Sequence, residues 1–112
     1  MSPQSSDASV ERRGPAEFAV AGSLTFGTAT EVHARGLAAL SRESAARIEM
    51  DCSGIVAADS AGLAVLIDWL GCVAREGREL RYRGLPDPLL ALARISEVDA
   101  LLQGEPASGV VR

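Results

Sequence analysis

Between residues 46 and 76 one periodicity gives way to another, and that change limits the folds open to the chain. Ala46, Ile48, Met50 and Cys52 alternate with Arg47, Glu49, Asp51 and Ser53, the period of two that marks a strand with one buried face. Further on, Leu63, Leu66, Ile67, Leu70, Val73 and Ala74 recur at helical spacing. Gly54, a short apolar run and Asp59-Ser60-Ala61-Gly62 join the two patterns. A strand leading directly into a long apolar helix belongs to an α/β arrangement. The Asp-Ser pair at the junction supplies a helix cap, and the hydroxyl of Ser60 stands at the positive end of the helix dipole.

The remaining segments follow the same order. Residues 1–14 are polar and charged and are expected to form a disordered tail. A first strand is expected over Glu17 to Ala21, with Phe18 and Val20 inward, and Gly22-Ser23 is expected to turn into a second short extended piece, Leu24 to Phe26. Thr28 is placed to cap a helix running to about Leu40, with His33 inside its apolar arc. Glu79 to Arg83 alternates again. Asp87-Pro88 starts a further helix, and Val98 to Leu102 is a strand or a helical turn. The organisation expected is a tail over 1–14, one domain over 15–102 and a flexible tail over 103–112. Strands alternating with helices imply a mixed or parallel sheet.

Composition narrows the function. The net charge of -4 opposes general nucleic-acid binding, which needs a basic face. The chain contains no lysine, so a P-loop is absent and no Gly-rich phosphate cradle replaces it. Cys52 and Cys72 are unclustered, and no metal site or cofactor is implied. No apolar run is long enough to span a bilayer; a cytoplasmic protein without membrane insertion is expected. His33 has no acidic or nucleophilic partner at a recognisable spacing and is expected to pack within its helix. No active site is legible.

Two features remain as candidates. Ser60 is either a helix cap or a regulated hydroxyl, since phosphorylation would place roughly two negative charges at a helix N-terminus. The helix after it carries a second apolar stripe opposite the core face: Val65, Trp69 and Cys72, continuing Ala61. A stripe of this kind marks burial between layers or a docking surface. With helices on one side of a small sheet, docking is expected, with Trp69 as its anchor.

The run Ile48-Glu49-Met50-Asp51-Cys52-Ser53-Gly54, followed by Ala58-Asp59-Ser60-Ala61-Gly62-Leu63, resembles a STAS domain, the fold of the anti-sigma-factor antagonists. The resemblance covers about residues 17–102. It implies a small mixed sheet of four to five strands with helices mainly on one face, and it matches Ser60 to the residue that a partner kinase phosphorylates in antagonists. Two branches of the family then stand open. One is the small STAS subunit of Mla-type ABC transporters, which docks on the ATPase at the inner face of the inner membrane. The other is the antagonist, switched at Ser60 by an anti-sigma kinase. Thr25 stands where antagonists carry an acidic residue, and Gly84-Leu85-Pro86 leading into Leu89 to Ala93 is similar to the transporter subunit. The partner interface implied is Asp59, Ser60, Ala61, Gly62, Val65 and Trp69.

Overall fold

The computed structural model describes residues 8–104. They form four strands and four helices in the order β1 (Ala8–Gly14), β2 (Glu17–Leu24), α1 (Phe26–Ser41), β3 (Arg47–Ala58), α2 (Ser60–Arg75), β4 (Glu79–Arg83), α3 (Asp87–Ile95) and α4 (Asp99–Leu102). The sheet order is β1-β2-β3-β4, with β1 antiparallel to β2 and the other pairs parallel. The mixed sheet and its α/β order are as the sequence implied.

Alternation decides which face the helices cover. Phe18, Val20, Ile48, Met50, Cys52, Leu80 and Tyr82 are buried beneath α1 and α2. On the other face Glu17, Glu49 and Arg81 fall in register, as do Ala19, Asp51 and Arg83. Ion pairs such as Arg83–Glu49 and Arg47–Glu79 cross that face. It is a solvated surface, which matches an antiparallel-edged sheet with a single apolar side.

Three expectations are corrected. Ala8–Gly14 is a strand rather than part of a tail. Its turn, Pro15-Ala16, places Ala16 at φ 60, a left-handed conformation that Gly or Asn ordinarily signals, so nothing in the sequence advertised a hairpin. Residues 1–7 of the expected tail, and 105–112 at the other end, lie outside the described residues. Glu17–Leu24 is one continuous strand: Gly22, at φ 93, makes an irregularity within the ladder instead of a turn. β3 runs on to Ala58, well past Cys52. Gly54 permits that extension, since a Cβ there would stand 2.8 Å from the Cβ of Ala21 on the neighbouring strand. Val98–Leu102 resolves as a helical turn.

Candidate functional site

The parallel strands β2 and β3 end side by side, and α1 and α2 begin there. The carboxylate of Asp59 holds both helix starts. Its Oδ1 accepts from the N–H groups of Ala61 (2.9 Å) and Gly62 (3.1 Å), capping α2, while Oδ2 accepts from the N–H of Phe26 (3.0 Å), the first residue of α1. These donors hold the carboxyl below its ordinary range, the Phe26 N–H first and then that of Gly62. Thr28 is the third residue of α1 rather than its cap. Its hydroxyl accepts from the N–H of Thr25 (3.1 Å) and donates to the carbonyl of Ser23 (2.6 Å). The helix starts earlier than the sequence suggested because its first N–H is satisfied from 33 residues away.

Asp59, not Ser60, is therefore the cap. Ser60 is the first residue of α2, exposed, with a hydroxyl that makes no hydrogen bond among the described residues. Two large apolar side chains stand in water: Phe26, 84% exposed as the first residue of α1, and Val56, 75% exposed near the end of β3. Along the flank of α2, Ser60, Leu63, Ala64, Ile67, Asp68, Ser96 and Val98 line a shallow groove of about 330 Å³. The rim thus combines an exposed hydroxyl, apolar surface and the carboxylates of Asp59 and Asp68.

The other expected interface residues are placed differently. Gly62 is buried, and a Cβ on it would stand 2.0 Å from the carbonyl oxygen of Leu24; it is the residue that lets α2 lie against the end of β2. Ala61 is half-buried. Val65 and Trp69 are in the core, Trp69 with no exposure at all. The second apolar stripe of α2 is covered by α1, so it marks burial between layers. Gly36 of α1 makes the crossing possible: a Cβ there would lie 2.0 Å from Trp69 Cζ2. The indole Nε1 donates to the carbonyl of His33 at 3.2 Å, so its polar handle is satisfied as burial demands. The exposed aromatic is Phe26, which the sequence reading passed over as part of an extended piece.

His33 also differs from expectation. Its Nε2 meets Asp68 Oδ2 at 2.5 Å across the two helices, and this contact leads the lowering of the Asp68 carboxyl. The pair is partly solvated. Cys52 is an inert thiol, pushed up to about 12 by burial. Among the described residues, no group of three or more His, Cys, Asp or Glu could hold a metal ion, and no helix is long and apolar enough to cross a membrane.

The solved structure of the anti-sigma factor antagonist SpoIIAA in its unphosphorylated form shares the fold with a TM-score of 0.67, covering 91% of this chain and 90% of that one at 10% identity. No curated protein matches the chain. The sequence model of one family, described as Mlab, STAS domain, matches residues 10–103. That span takes in β1 as well as the Asp59–Ser60 junction, and with it the chain belongs to the Mlab-type STAS domain family.

Proposed function

We propose that this chain is a non-catalytic accessory subunit whose Ser60 rim docks on the ATPase of an Mla-type ABC transporter for phospholipid trafficking and outer-membrane lipid asymmetry. Its place is the cytoplasm, at the inner face of the inner membrane, where its partner holds it. The observation that carries this reading is the match to the Mlab class of STAS domains over residues 10–103. The rim geometry supports it. Phe26 and Val56 present exposed apolar surface and Ser60 an exposed hydroxyl at the start of α2, a combination that suits a lasting complex, with Phe26 filling a pocket on the partner and Ser60 at the edge.

A second reading is favoured by one specific observation, the free hydroxyl of Ser60 on a fold shared with an anti-sigma factor antagonist. In that reading an anti-sigma kinase phosphorylates Ser60 and so breaks the complex. A phosphate would stand beside Asp59 and charge the apolar rim, which weakens docking in either case. The readings differ in the partner and in whether cells use the modification. Affinity purification from native cells, with intact-mass measurement of the recovered chain, separates them. An ABC ATPase with unmodified Ser60 is expected. Recovery of an anti-sigma kinase, with a phosphorylated fraction that changes with growth conditions, would replace the transporter reading by the second one.

A further inference from the structure

At the opposite end of α1 from Phe26, about 24 Å away along the helix axis, a concave groove of about 680 Å³ lies between the edge strand β1 and the last turns of α1. Its apolar lining is Val10, Phe18, Ala38 and Ala39, and its charged lining is Arg12, Arg35, Arg42 and Glu43. Three guanidinium groups against one carboxylate stand out on a chain of net charge -4. Glu43 is already engaged: Oε1 meets Arg12 at 3.5 Å and Oε2 accepts from the N–H of Ala45 at 3.2 Å. Arg35 pairs with Glu31 outside the groove at 2.6 Å, an exposed pair that costs little to exchange for another anion. Arg42 makes no ion pair among the described residues. The negative end of the α1 dipole would oppose an anion here, but Arg78 covers it, donating to the carbonyls of Glu43 (2.7 Å) and Leu40 (3.2 Å).

We propose that this groove binds a phosphate-headed amphiphile, with the head held by Arg35 and Arg42 and the apolar body laid on Val10, Ala38 and Ala39. Guanidinium groups pair phosphate oxygens in a bidentate fashion, and the volume falls in the range of small-molecule sites. A strand added to β1 is disfavoured as occupant. The edge carries Glu11, Arg12 and Arg13, and its ladder shifts register between Arg12 and Gly14; charge and irregularity of this kind blunt an edge against pairing. The proposal does not depend on the Ser60 rim or on its partner.

Calorimetric titration of the full chain with hexyl phosphate, inorganic phosphate and hexanol tests it. Hexyl phosphate should bind roughly tenfold more tightly than inorganic phosphate, since head and body both contribute, and hexanol should give no measurable heat. The Arg35→Ala/Arg42→Ala double variant should lose roughly tenfold or more of that affinity at unchanged melting temperature. Ala38→Glu, on an exposed helical position, should abolish it by placing a carboxylate on the groove floor. Phosphatidylglycerol vesicles identify the source: capture of wild-type protein but not of the double variant means a lipid headgroup, and hexyl phosphate binding without vesicle capture means a soluble phosphate ester. Equal hexyl phosphate affinity in wild type and both variants would overturn the proposal. So would binding of a glutamate-rich peptide by a chain that ignores hexyl phosphate.

Discussion

Where α1 crosses the middle of α2, Gly36 and Trp69 close the seam completely; where the same two helices begin, one carboxylate holds them while Phe26 stands in water. Both places are apolar, and only one of them is a surface. The difference lies in the partner residue. A glycine opposite the indole removes the side chain that would have kept the helices apart, so the largest apolar group on α2 became core. At the rim, the Asp59 carboxylate accepts from backbone N–H groups in the first turns of both helices, which leaves the side chains of Phe26 and Ser60 unclaimed. An apolar helix stripe is therefore a weak indicator of docking until the facing element is known.

The largest effect is expected at the seam. Trp69→Ala removes a fully buried indole and leaves a cavity between α1 and α2, so urea unfolding should show a loss of about 4 kcal/mol. If the seam were in fact a docking face, the variant would unfold like wild type and lose only its partner. Gly62→Ala probes the junction of seam and rim. Its new methyl would meet the backbone carbonyl of Leu24, which cannot swing aside as a side chain can, and a loss of about 3 kcal/mol is expected. A variant as stable as wild type would mean that α2 can slide away from β2 freely.

These two positions also show what the sequence could carry. The order of strands and helices was legible because each element keeps its own period over several residues, as in Ala46 to Cys52 and Leu63 to Ala74. The junction at Asp59 was legible because caps are local. What escaped depended on contacts distant in sequence. Trp69 was read as exposed because nothing near it in the chain reveals Gly36 on another helix. The start of α1 was misplaced because its first N–H bonds to Asp59, far along the chain. β1 was missed because Ser9, Glu11, Arg12 and Arg13 make a polar segment whose pairing is decided by β2 and not by its own composition.

At the rim, Phe26→Ala should leave thermal stability within about 0.5 kcal/mol of wild type, since the ring touches mostly water. Affinity for the partner recovered from native cells should fall by about 2 kcal/mol. A clear drop in stability with unchanged affinity would move Phe26 to the structural side of the comparison and leave the rim without an anchor.

The smallest effect is a pH dependence at Asp59. In the unfolded chain its carboxyl titrates at about 3.9; in the folded protein it titrates lower, because the N–H groups of Phe26, Gly62 and Ala61 all bond to the charged form. A carboxyl lowered on folding binds more protons in the unfolded state near its titration range, so its contribution to stability is complete above the unfolded value and disappears as pH falls through the folded one. Asp51 and Asp68 are lowered too, so wild type alone does not isolate Asp59. The difference between wild type and Asp59→Asn does, because the amide keeps an acceptor for one helix start and carries no charge. That difference should be constant from pH 7 to about pH 5 and shrink below about pH 4, measured by urea unfolding at each pH. A difference that stays flat down to pH 2.5 would mean that the charge of Asp59 does not hold the two helix starts, and that the rim is set by the backbone of β2 and β3 alone.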